Sequence, residues 1–333
     1  MNAKRLPLFL LIVVLTQARL TSAADRLIGV QSARVMSQSM PWIAEETGIF
    51  RKYNLEFPLV YIGTSPLATA AMLGGEAQLL IDGGVGLVRT VVGGNNDLVF
   101  IAGIKNHLTQ SILAKPEIKR LEDLRGKKIG VTRIGATTHY FAIQAFKRRG
   151  MEAGKDYSMI QTGGAPEMLA ALLSRAIDAG TMSAPWDARA ISQGYGYVVY
   201  GPDLAIPQVA VSFITRRSFI AQNSPLLGRF MRAMAEAAKI LHTDKEIVFK
   251  VLSKYLRIDD RKVLDQAYSA EIKALEPRME LRLEAVQAIL DDIAPTDARA
   301  RKYKPQELYD RRYLDEMEKS GFMDKLWSGA VAR

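Results

Sequence analysis

Gly63-Thr64-Ser65-Pro66-Leu67-Ala68-Thr69-Ala70-Ala71-Met72-Leu73 is echoed one hundred positions later by Gly163-Gly164-Ala165-Pro166-Glu167-Met168-Leu169-Ala170-Ala171-Leu172-Leu173. The Gly, the Pro, the Ala-Ala pair and the final Leu coincide. Each copy follows a strand-like run (57–62 and 157–162) and precedes another (77–81 and 176–181). Upstream, Ile28-Gly29-Val30 and Ile129-Gly130-Val131 correspond at an offset of 101. Ala-Ala-x-Leu alone recurs in many helices, so the weight lies in several offsets agreeing. They predict one wiring used twice: strand, helix, strand, helix, strand. The fold class is therefore α/β with two lobes, each an open mixed sheet flanked by helices. A cleft between such lobes is where a ligand binds.

The expected boundaries follow from this pattern. Residues 25–110 form the first part of lobe 1, and residues 111–209 form lobe 2. Residues 210–333 return by a strand to lobe 1 and end in helices packing on it. Pro41 opens the first helix and Gly48 closes it. Ser65 is expected as the N-cap of the helix after the second strand, with Pro66 as its first residue. Thr137 or Thr138 is expected to cap the corresponding helix of lobe 2. Ser224-Pro225 opens a long amphipathic helix, and the remaining chain is helical with breaks near Asp259, Pro277, Pro295 and Pro305.

The N-terminus places Lys4 and Arg5 before the apolar run 6–15, with Thr21, Ser22, Ala23 and Ala24 after it. This is the pattern of a secretory signal peptide over 1–24, and the apolar run is shorter than the roughly 20 residues a membrane span needs. The chain has no cysteine, which removes disulfides, thiolate nucleophiles and sulfur metal sites. An exported chain without cysteine fits a bacterial periplasm. The formal charge is +10, and without Lys4, Arg5 and Arg19 it falls to +7. Basic residues are mixed with acids and form no aromatic-interleaved stripe, so no nucleic-acid partner is expected.

Ligands of open α/β sheets sit at the carboxyl ends of strands, next to helix N-termini. In lobe 1 this selects Gln31, Ser32 and Arg34, then Thr64 and Ser65, then Asp82 and Gly83. In lobe 2 it selects Arg133, Gly135, Thr137 and Thr138, then Gly163 and Gly164, then Trp186. The segment Gly135–Thr138 is the best anion-site candidate, because exposed backbone N–H groups, hydroxyls and a helix dipole coincide; plain N-capping explains it equally. Arg34 and Arg133 occupy equivalent loops and either clamp an oxyanion or are solvated. Asp82 either receives an amine or hydroxyl of the ligand or caps the next helix. Trp186 offers a stacking face, whereas Trp42 lies within a helix and reads as core. The mild positive charge and the two arginines tilt the expected ligand toward a small organic anion. Histidines at 107, 139 and 242 form no metal pattern, so no cofactor or metal is expected. There is no dinucleotide fingerprint, P-loop or Gly-x-Ser-x-Gly elbow.

Three motifs add a resemblance. Met40-Pro41-Trp42-Ile43-Ala44-Glu45-Glu46-Thr47-Gly48-Ile49-Phe50, Leu121-Glu122-Asp123-Leu124-Arg125-Gly126-Lys127-Lys128-Ile129-Gly130-Val131 and the stretch 170–179 resemble motifs of the SsuA/THI5-like (NMT1-like) substrate-binding proteins. Arg175 and Gln78 depart from that family's usual Gly and Asp. The resemblance covers about residues 27–241. It implies a type II periplasmic binding protein of an ABC importer of the nitrate/sulfonate/taurine kind. The partners would be a small-molecule ligand and a membrane permease with its ATPase, and closure would occur at crossovers near 110–113 and 208–211. An exported enzyme on the same scaffold and a sensory subunit are the alternatives. The enzymes that the resemblance brings in, pyrimidine synthases and desulfinases, rely on cysteine, which this chain lacks.

Overall fold

The computed structural model describes residues 23–204 and 206–329. The signal-peptide reading therefore lies, except for Ala23 and Ala24, outside the described residues.

In chain order the first layer contains β1 (Asp25–Arg26), β2 (Gly29–Gln31), α1 (Met40–Glu46), α2 (Ile49–Lys52), β3 (Leu55–Glu56), β4 (Leu59–Tyr61), α3 (Ser65–Leu73), β5 (Leu79–Asp82), α4 (Gly84–Val92) and β6 (Leu98–Leu108). The second contains β7 (Ser111–Ala114), β8 (Lys128–Val131), α5 (Thr137–Lys147), β9 (Ser158–Gln161), α6 (Ala165–Leu173), β10 (Ala179–Met182), α7 (Trp186–Ser192), β11 (Gly196–Val199) and α8 (Gly201–Leu204). The chain then returns through β12 (Ile206–Arg216) to α9 (Arg217–Thr243), α10 (Lys245–Leu256), α11 (Arg261–Glu271), α12 (Leu283–Ile293), α13 (Arg312–Lys319) and α14 (Phe322–Trp327).

The two five-stranded sheets have the orders β4-β2-β5-β12-β6 and β9-β8-β10-β7-β11. In each, three parallel strands come from one copy of the repeat, and the strand beside them runs antiparallel. The wiring predicted from the echo is thus present in both sheets. Parallel strands are covered on both faces and so read as apolar runs, as in β5, where Leu79, Leu80 and Ile81 are all buried.

Two crossovers join the sheets. β6 passes to β7 through Thr109 and Gln110, and β11 returns to β12 through α8, earlier than the expected 208–211, which already lie within β12 because its pairing with β6 begins at Ile206. Gly201 packs directly on the Gln110 backbone, where any Cβ would overlap the carbonyl, and its N–H donates to the Ser111 hydroxyl. Only glycine permits that approach, so the crossovers lie side by side. β12 pairs with β6 from Ile206↔Leu108 to Arg216↔Leu98, with register shifts between Pro207 and Ile214.

The C-terminal helices serve both layers. α9 packs on α1 and α2, and α12 on β12 and α4, but α11 lies against α7 beside the second sheet. Asn223 interrupts α9 with φ −133° and ψ 27°, immediately before Ser224-Pro225. This agrees with a helix opened by that pair, because proline suits a first turn.

Two capping expectations are corrected. The N-cap of α3 is Thr64, and Ser65 is already helical. The N-cap of α5 is Ala136, so neither threonine holds that place. The reason is that both Ser65 and Thr138 have stronger partners elsewhere. The Ser65 hydroxyl donates to Asp82 Oδ1 at 2.7 Å, and Thr138 Oγ1 accepts the Thr132 N–H at 3.0 Å.

Candidate functional site

The carboxyl ends of β2, β4 and β5 face those of β8 and β10 across a cavity of about 70 Å³. The layers touch around it. The Trp186 indole N–H donates to the Arg34 carbonyl at 2.6 Å, and the Met36 N–H donates to the Ala184 carbonyl at 3.2 Å. A Cβ on Gly83 would lie 2.6 Å from Thr137 Oγ1 of the opposite layer.

Of the residues selected from sequence, Ser32, Thr64, Ser65, Asp82, Thr137 and Thr138 line this cavity. Gly83 adjoins it through Thr137, and Gly164 is the N-cap of α6, whose first residue Ala165 lines it. Gly163 and Gly135 take positive φ in the turns just before those helices, at 95° and 86°.

The others are placed elsewhere. Gln31 is buried with its side-chain amide oxygen taken by the Trp42 indole N–H at 2.9 Å. Trp186 is 5% exposed and engaged with Arg34, so its ring serves packing between the layers. Arg34 is exposed, stacks on Tyr61 at 4.5 Å and borders a separate surface groove with Trp42 and Tyr255. Arg133 is also exposed and does not reach the cavity lining. The expected arginine clamp is therefore absent from the cavity, because both side chains leave their loops outward.

Lys105, Gln110 and Thr181 were not anticipated and line the same cavity. Lys105 is 1% exposed on β6, and its ammonium meets Glu271 of α11 at 2.7 Å. A lone lysine inside an eleven-residue, otherwise largely apolar strand was the available signal. Gln110 comes from the first crossover, and Thr181 from the middle of β10.

Asp82 dominates the electrostatics. It is 1% exposed, and burial pushes its pKa from 3.8 up to about 6, with Ser32, Ser65 and the Gly83 N–H pulling it back. Ser65 satisfies Oδ1, but no group makes a hydrogen bond of proper distance and angle to Oδ2. Thr64 Oγ1, Gln110 Oε1 and Thr181 Oγ1 are likewise buried without partners among the described residues. Buried polar groups are normally paired, so four unpaired atoms around one cavity single it out as the candidate site. The N-termini of α3, α5 and α6 also converge here without side-chain caps, leaving backbone N–H groups available. Among the described residues no cluster of His, Cys, Asp and Glu is arranged to hold a metal ion.

Known proteins share this architecture. A structure from Bordetella bronchiseptica RB50 superposes with TM-score 0.77 at 19% identity, covering 89% of this chain and 98% of that one. The periplasmic nitrate-binding protein NrtA from Synechocystis PCC 6803 gives 0.73 at 16% identity, covering 89% of both chains. The alkanesulfonate-binding protein SsuA from Xanthomonas axonopodis pv. citri, bound to MOPS, gives 0.69 at 18% identity, covering 84% of this chain and 95% of that one. These likenesses establish the periplasmic binding protein fold. In sequence, the NMT1-like family matches residues 42–252, which span β4, β8 and β10 and run from α1 into α10. That match extends over more than half of the chain, and the protein belongs to the NMT1-like family.

Proposed function

We propose that this protein is the exported solute receptor of an ABC importer. It captures a small molecule between its layers and presents the closed form to a membrane permease with its ATPase. The observation that carries this reading is the set of buried, unpaired polar atoms on Thr64, Asp82, Gln110 and Thr181 around one interlayer cavity. Unless water or a solute pairs them, each of those atoms carries a desolvation cost of about 1–3 kcal/mol, and a solute that pairs them in the closed form recovers it.

Closure would be a rotation about the paired crossovers. Gly201 against Gln110 brings both connections to one place, so the layers can turn about a shared axis without breaking either sheet. The receptor performs no covalent step in this reading. Affinity comes from completing the unpaired groups and from burying the contact between layers.

Small-angle scattering with and without ligand tests the proposal. The expected outcome is a smaller radius of gyration with ligand and unchanged ligand chemistry on recovery. Turnover of the recovered molecule by the purified protein alone would overturn it in favour of an enzyme.

A further inference from the structure

The cavity is uneven in what it leaves unpaired. Asp82 Oδ2 and Gln110 Oε1 are acceptors, and their residues are 1% and 6% exposed. Thr64 and Thr181 carry hydroxyls that can donate or accept. Facing them, the N-termini of α5 and α6 supply backbone donors. Lys105 is the one side-chain cation among the described lining residues, and one of its protons is already given to Glu271. Asp82 and Lys105 lie on β5 and β6, with β12 between them, through the pairs Asp82↔Ser212 and Lys105↔Val211. Two strand spacings separate them, about 10 Å.

An acceptor-only anion fits this arrangement poorly. It would turn negative charge toward the Asp82 carboxylate and leave Asp82 Oδ2 unbonded, although the Gln110 amide can present either its oxygen or its N–H groups. A site built around unpaired polar groups rejects a ligand that cannot pair them. The volume of about 70 Å³ also lies well below the roughly 300–1,000 Å³ typical of drug-sized ligands.

We propose that the ligand is a small polar solute with an N–H or O–H donor edge for Asp82 and an oxygen acceptor edge for Lys105 and the α5 N-terminus, with Gln110 able to pair with either. Amides, urea-like molecules and amino-acid-like zwitterions have this character, whereas nitrate and simple alkanesulfonates do not. The proposal rests on the receptor reading above.

Titration calorimetry on the purified protein tests it with matched pairs: urea against nitrate, glycine against acetate, and taurine against ethanesulfonate. In at least one pair the donor-bearing member should bind at least about tenfold more tightly. Asp82→Asn should remove that preference, while Arg34→Ala, outside the cavity, should leave it intact; thermal unfolding verifies that each variant is folded. Equal or tighter binding of the acceptor-only members would overturn the ligand class and leave the receptor reading standing. If no probe binds, mass spectrometry of the denatured protein identifies any molecule carried through purification. A carried molecule with a donor edge supports the proposal, and one without it overturns the proposal alone. An empty protein that binds no probe overturns the receptor reading and this proposal together.

Discussion

Asp82→Asn should stabilise the ligand-free protein at neutral and higher pH while impairing its binding. Holding a buried carboxyl at about 6 instead of 3.8 corresponds to roughly 3 kcal/mol of penalty once it is ionised. The group is 1% exposed, so solvent screening does not reduce that figure. Asparagine keeps an acceptor for the Ser65 hydroxyl, and its amide replaces the unpaired Oδ2 at a cost of about 1–2 kcal/mol for an unmatched donor. The net expected gain at pH 8 is about 1–2 kcal/mol, or a rise in Tm of about 2–6 °C. The pH dependence gives the sharper check. A raised folded-state pKa contributes stability that is fully present below the unfolded value and lost as pH rises through the folded value. The advantage of the variant should therefore grow from pH 4 to about 6 and level off above. Asp187 is also pushed up to about 6 by burial, but it is common to both proteins and cancels in the difference. Paired urea or thermal unfolding between pH 4 and 8 measures this directly. A difference that stays flat with pH, or a variant that loses ground as pH rises, would refute the reasoning.

Further outcomes follow from the same geometry. Lys105→Met leaves Glu271 buried without its cation and should cost about 3–5 kcal/mol by chemical denaturation; the double variant Lys105→Met with Glu271→Leu should recover much of it, and no recovery would mean that the pair is not the cause. Gly201→Ala forces a methyl into the Gln110 carbonyl and should lower Tm by several degrees or abolish folding, whereas an unchanged Tm would mean that the crossovers are not in contact. Gly83→Ala puts a methyl 2.6 Å from Thr137 Oγ1 of the opposite layer and 3.2 Å from the Ala210 carbonyl, and should weaken ligand binding about tenfold or more, read by calorimetry, with some loss of Tm from the second contact. Gln208 is fully buried on β12 with neither amide atom paired, so Gln208→Met should raise stability by about 1–3 kcal/mol, and a loss would show that the amide is satisfied in solution.

Much of this molecule is local and therefore legible in the chain. Strand-to-helix turns at Gly63-Thr64-Ser65-Pro66 and Gly163-Gly164-Ala165-Pro166, followed by apolar helical faces, repeat because each βαβ unit must bury the same faces in the same order. That repetition determined the wiring of both sheets, and the rule of strand carboxyl ends located Ser32, Thr64, Ser65, Asp82, Thr137 and Thr138 at the cavity. Only the tertiary structure decided the rest. Arg34 and Arg133 sit on correctly chosen loops, yet sequence gives a loop its place and not the direction of its side chains. Lys105 and Gln110 enter the site because β12 returns more than a hundred residues later to pair with β6, and Glu271 meets Lys105 from a helix further on still. Periodicity tells which face of a strand is buried, but which strand lies beside it is settled by long-range pairing, whose closure entropy and packing belong to the whole chain.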